Sequence, residues 1–198
     1  MLRPHPLAPL LLALACDPDS GASGLAAPVV AEVAPCEPVA DWDPLAQDVE
    51  DALLAQINAL RREGGRCGDL AFLPAPGLGS DPTLRCAARL HTQDMVTRDY
   101  LAQVDPDGIG TGPRLAALGH VASTHGENVG FVQAAPDLDP ERIARAMLLS
   151  WADNPGTCWK LRARELEWVG IGATPGDFDP KDLEPVDGFT FTATFTAP

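Results

Sequence analysis

Between residues 189 and 196 apolar and hydroxyl side chains alternate without a break: Phe189, Phe191, Ala193 and Phe195 against Thr190, Thr192, Thr194 and Thr196. A period of two is a strand with unlike faces, so one face is expected in the core and the other in water. EWVGIGA (167–173) reads as a second strand and GENVGFV (126–132) as a third. Upstream the period changes to three and four. Asp43-Pro44 caps a helix marked by Leu45, Val49, Ala52, Leu53, Ile57 and Leu60, which Gly64-Gly65 ends. Asp81-Pro82 opens another, with Leu84, Ala87, Ala88, His91 and Met95 on one face. A turn-rich loop, DPDGIGTG (105–112), leads to a short helical segment at 113–118. Asp139-Pro140 starts a helix through Ile143, Met147 and Trp151 that breaks at Asn154-Pro155-Gly156. Helices first and a strand meander late predict an α+β fold, with helices packed on the sheet.

The N-terminus has a different pattern. Arg3, the apolar run from Leu7 to Leu14 and Ala13-Leu14-Ala15 form an export signal over residues 1–15. Cys16 follows at once, so the junction resembles a bacterial lipobox, and Cys16 is the expected lipidation site. The alternative is ordinary cleavage after Ala-Leu-Ala, with Cys16 an incidental free thiol. Residues 16–40 have no helical or strand period and are expected to act as a tether. At about 5–6 Å times the square root of its length, such a segment spans roughly 25–30 Å. A single domain, 41–198, follows. Export makes the remaining cysteines legible: Cys36, Cys67, Cys86 and Cys158 form an even set in an oxidising compartment, so two disulfides are the default. Four cysteines allow three pairings. No CxxC pair exists to suggest a cysteine zinc site.

Composition narrows the partners. The 198 residues carry a net charge of −14, and losing the leader removes only Arg3 among the charges. Such a chain is unsuited to neutralising phosphates, which argues against nucleic acid, and against electrostatic adhesion to anionic lipid. Twenty prolines and 18 glycines predict long punctuated loops around a real core. The acidic stretch PGDFDPKDLEPVDG (175–188) lacks the ligand spacing of a calcium loop and reads as a solvated hairpin connection.

The chemistry-bearing residues are few. On a strand His125 and Glu127 face the same side, being two apart. His120 lies five residues earlier, beyond a turn, so a His120–His125–Glu127 metal set is the sharpest candidate. The plainer reading leaves both histidines on a loop rim, with His91 a satisfied helix residue. Glu127 can be a base or ligand only beside an imidazole or a metal. As a structural group it is expected to accept backbone N–H bonds, with Asn128 bracing a neighbouring loop. No serine lies in a GxSxG context.

The order of QINALRREGGRCG, DPTLRCAARLHTQDM, DPDGIGTGPRLAALGH, GENVG, SWADNPGTC and EWVGIGA resembles the CAP superfamily. That family comprises the cysteine-rich secretory, antigen and pathogenesis-related proteins with an SCP domain, and the likeness is to its bacterial secreted branch. The resemblance spans about Leu45 to Phe195 and implies a three-layer α-β-α sandwich. It also implies a cavity in which two histidines and acidic residues can hold a divalent metal. At the two histidine positions this chain has Gln103 and Thr157, while the glutamate is Glu127. The cavity candidates are therefore Glu127, Gln103, Thr157 and His125, with no catalytic residue and no metal ligand assigned and zinc disfavoured. The resemblance favours Cys67–Cys158 with Cys36–Cys86; Cys67–Cys86 with Cys36–Cys158 is the alternative. The function expected is a secreted or lipid-anchored, non-enzymatic scaffold at the cell envelope, binding a lipid-like ligand, an envelope component or a protein. The alternative is a metal-dependent or glutamate-based hydrolase using Glu127 with His125 or His120.

Overall fold

Asp-Pro and Asn-Pro dipeptides punctuate the helices in the computed structural model, which describes residues 29–134, 138–178 and 186–198. The leader, Cys16, the tether to residue 28 and the centre of the acidic loop lie outside the described residues. Helix α1 (Pro44–Glu63) begins where Asp43 accepts the Ala46 N–H at 2.8 Å. Helix α2 (Pro82–Thr97) begins where Asp81 accepts the Thr83 and Leu84 N–H groups, each at 2.8 Å. A short α3 (Thr111–Ala117) follows the turn-rich loop, and Asp139 caps α4 (Pro140–Asp153). In each capped case the carboxylate satisfies orphan donors while proline takes a position that needs none.

The same grammar extends one expectation. Asn154-Pro155 ends α4, but it also starts α5 (Pro155–Arg162), with Asn154 accepting the Gly156 N–H at 2.8 Å. The break is a cap.

Two short strands, β1 (Gly65–Cys67) and β2 (Leu70–Phe72), form a separate hairpin. The main sheet contains β3 (Gly79–Ser80), β4 (His125–Gln133), β5 (Trp168–Phe178) and β6 (Val186–Thr196), in the order β3-β5-β6-β4. Strand β3 runs parallel to β5, and the other pairs are antiparallel. The long strands are thus not a simple meander, because β6, the last in sequence, lies between β5 and β4.

Both faces of this sheet are dry. Phe189, Phe191, Ala193 and Phe195 join Val169, Ile171 and Ala173 in a core with α1 and α4, where Leu53, Ile57, Met147 and Trp151 are buried. The threonine face, expected in water, is covered as well: Thr190, Thr192, Thr194 and Thr196 are at most 3% exposed. Helix α2 packs on β5 and β6, and α3 on β4. Gly170 and Gly172 admit α2 so closely that a Cβ on Gly170 would lie 1.9 Å from the Leu84 carbonyl carbon. The α2 backbone therefore takes the space that side chains would fill. The result is an α-β-α sandwich, a mixed α+β fold.

Side chains also close the sheet's edges. On β5, Glu50 accepts the Ala173 N–H at 3.1 Å and Trp42 donates to the Ala173 carbonyl at 3.2 Å. Glu50 is itself buried against Arg89, 2.7 Å away. On β4, Trp151 donates to the Val129 carbonyl at 3.0 Å, and Gln103 to that of Glu127. An edge with occupied carbonyls is a poor template for another strand.

The end of the expected tether packs on the domain. A 3₁₀ turn (Ala34–Val39) places Cys36 and Val39 against Cys86, with Val30 in the same buried cluster. Disulfides join Cys36 to Cys86 and Cys67 to Cys158, with Cα atoms 5.6 Å apart in each. The first ties the N-terminal segment to α2, the second β1 to α5.

Candidate functional site

Across the sheet Gly170 lies opposite Thr194, and Thr194 opposite Glu127. This row puts Glu127 on the threonine face, beneath α2 and α3, where it is 3% exposed. Strand alternation aims it there.

The carboxylate is held by side chains rather than by the backbone N–H groups expected of it. Arg114 donates to Oε1 at 2.6 Å and Thr111 to the same oxygen at 3.1 Å. Thr194 donates to Oε2 at 3.1 Å. Thr111 and Arg114 are three apart on α3, so one helical face delivers both. Arg114 also donates to the carbonyls of Ile109, at 2.8 Å, and Gln103, at 3.0 Å, gathering the 103–109 loop around the ion pair. A carboxylate is acceptor-only when ionised, and both oxygens here are engaged.

His91 completes the cluster from α2. It is 2% exposed, and Nε2 lies 2.9 Å from the Ala102 carbonyl and 3.7 Å from Glu127 Oε1. The shorter contact is a hydrogen bond; the longer is outside bonding range. Burial pushes the His91 pKa below its ordinary 6.5, with Glu127 pulling the other way. The ring is therefore a neutral imidazole that donates through Nε2. Its Nδ1 faces Tyr100 Oη at 3.3 Å, and Tyr100 donates to Asp94 at 2.5 Å. Burial and that carboxylate hold the phenol well above its usual range. Burial also lowers the Lys160 pKa, partly offset by Glu127.

The other cavity candidates are occupied elsewhere. Gln103 spends its amide on the Glu127 main-chain carbonyl. Thr157 donates to the Trp151 carbonyl at 2.7 Å, the open end of α4, and its own carbonyl accepts from Asn128 at 3.1 Å. His125 is exposed on the threonine face at the start of β4, while His120 is half-buried beyond α3. These two line a shared cleft of about 200 Å³ that does not include Glu127.

A zinc ion does not fit the Glu127 position. Among the described residues no three His, Cys, Asp or Glu side chains gather as a metal set. Gln103 and Thr157 are weak zinc donors already committed to the main chain, and Arg114 stands against the carboxylate that a cation would need. As a general base Glu127 is poorly placed, since three side-chain donors already share its carboxylate and it is buried. What the arrangement does well is lock α2, α3, the 99–110 loop and β4 together. Sequence reading missed Arg114, Thr111 and Thr194 as partners. The three-residue spacing of Thr111 and Arg114 was the available signal.

No protein-family model matches the sequence, and no curated protein does. Solved structures do. An extracellular protein containing an SCP domain from Bacillus anthracis superposes with a TM-score of 0.54 at 18% identity. The match covers 80% of this chain but 45% of that one, so this chain spans about half the length of its relative. An outer surface protein from Borrelia burgdorferi matches with a TM-score of 0.51 at 13% identity, covering 77% of this chain and 96% of that one. At these identities the likeness is one of fold, and the fold is that of SCP (CAP) domains.

Proposed function

We propose that this SCP-fold chain is an exported domain held at the cell surface, and that it acts by binding rather than by catalysis. The observation that carries this reading is the Glu127 carboxylate, buried and engaged by Arg114, Thr111 and Thr194. An acid held in that way is a brace. Export is supported by the leader-like start, by two disulfides and by similar structures described as extracellular and outer-surface proteins. Cys16 attaches the chain to lipid, and the occupant of the scaffold is a lipid-like ligand, an envelope component or a protein.

Two experiments test the reading. The first screens the exported chain and Glu127→Gln against ester, peptide, phosphoester and cell-wall substrates. No turnover in either is expected; a turnover that Glu127→Gln abolishes while the variant stays folded would establish the hydrolase alternative. The second compares the cellular distribution of the native chain and Cys16→Ser. The native chain should partition with membranes and the variant should not, whereas equal partitioning would rule out the anchor.

A further inference from the structure

Two of the three histidines downstream of the leader share a cleft unrelated to the Glu127 brace. His120 and His125 line about 200 Å³ walled otherwise by apolar side chains, among them Leu115, Ala116 and Val121, and by the backbone of Gly112. Among the described residues the imidazoles are its only titratable lining.

Both ends of the connecting segment are anchored. The His120 N–H donates to the Leu115 carbonyl at 3.0 Å, closing the turn after α3. Gly119, with φ +74°, makes that turn possible. At the other end His125 lies opposite Thr196 in the β4–β6 ladder, and the Ala197 N–H donates to the Thr124 carbonyl at 3.1 Å. The His125 ring lies along the first turn of α3, where a Cβ on Gly112 would come 3.1 Å from its Cε1. A larger residue at 112 would displace the ring.

We propose that this cleft binds a borderline divalent first-row cation, of which zinc is the representative, through the His120 and His125 imidazoles. Imidazole is the fitting donor for such ions, and the rest of the described lining is apolar, with no side chain to compete for the two rings. Since no third His, Cys, Asp or Glu among the described residues joins them, water or a ligand carried by the cation completes the coordination. The site is open and exchangeable, a capture point rather than a structural clamp. It is independent of the binding reading above, because Glu127 takes no part.

The test is a zinc titration of the full exported chain, followed by native mass spectrometry and by NMR of the imidazole Cε1–H resonances. One zinc per chain is expected, shifting the His120 and His125 signals and leaving His91 in place. His120→Gln and His125→Gln should each weaken binding by more than the roughly tenfold that loss of a ligand's hydrogen-bond partner costs. Glu127→Gln and His91→Gln should leave it unchanged. His125 is exposed and His120 half-buried, so their substitution should leave the melting temperature close to that of the wild type. Absence of binding at millimolar zinc, or binding that survives both histidine substitutions, would overturn the proposal. Zinc that depends on Glu127 would overturn it too, and would separately contradict the brace.

Discussion

The His91 imidazole Nε2 stands 2.9 Å from the Ala102 carbonyl and 3.7 Å from Glu127 Oε1. It is therefore tied to a loop main chain rather than to the carboxylate. Burial keeps its folded-state pKa below the ordinary 6.5. On acidification the unfolded chain takes up this proton first, so the contribution is complete above about pH 6.5 and is lost as pH falls through the folded value. Urea denaturation between pH 8 and pH 5 should show stability falling in the wild type. His91→Gln, which keeps a donor for Ala102, should flatten that part of the profile. Equal slopes would mean that the ring titrates freely in the folded state.

The Gln103 amide is bonded to the Glu127 main-chain carbonyl. Gln103→Ala should cost about 1 kcal/mol, the usual net value of one such bond. Amide exchange should also quicken along β4 and the 99–110 loop. A change confined to the substituted residue would remove Gln103 from the edge-closing role.

Thr192 and Thr194 are neighbours on one buried face with opposite expectations. Thr194 donates to Glu127 at 3.1 Å, whereas the Thr192 hydroxyl has no hydrogen-bond partner among the described residues. Thr192→Val should be neutral or stabilising by up to about 1 kcal/mol, since it removes a buried unpaired group. Thr194→Val should destabilise by roughly 1–3 kcal/mol by taking a donor from a buried carboxylate. Thermal melts of the two variants decide the matter, and the order of their midpoints is the readout.

The Cys36–Cys86 disulfide fastens the N-terminal segment across a separation of 50 residues. Replacing both with serine should cost roughly 2–4 kcal/mol. It should also raise proteolytic cutting near residues 29–40 before the rest of the domain is touched. Simultaneous loss of the whole domain would mean that the segment is not separately released.

Much of this architecture is legible in the sequence because caps are local. Asp43-Pro44, Asp81-Pro82 and Asp139-Pro140 each announce a helix through groups within three residues, and each does start one. Asn154-Pro155 reads as a stop, yet the same pair ends one helix and caps the next. The threonine face shows the limit of periodicity: a period of two separates two faces but does not say which is wet. The clue lies on β5, where Gly170 and Gly172, two apart, leave room for a helix backbone. The site is less legible still. Glu127 is visible as a candidate, but its partners Thr111, Arg114 and Thr194 lie 16, 13 and 67 residues away. Only the packing of α3 and the register of β6 bring them to it.

The central claim is that the Arg114–Glu127 pair, 2.6 Å apart and with a carboxylate side chain only 2% exposed, is a structural brace. The most direct measurement is a double-mutant cycle in urea using Arg114→Met, Glu127→Gln and the combination. Arg114→Met should destabilise by roughly 3–5 kcal/mol, because it strands a buried carboxylate. Glu127→Gln should cost less, because the half-buried Arg114 keeps its bonds to the Ile109 and Gln103 carbonyls. The double variant should lose clearly less than their sum. Additive losses, or a Glu127→Gln protein as stable as the wild type, would contradict the brace and return Glu127 to chemistry.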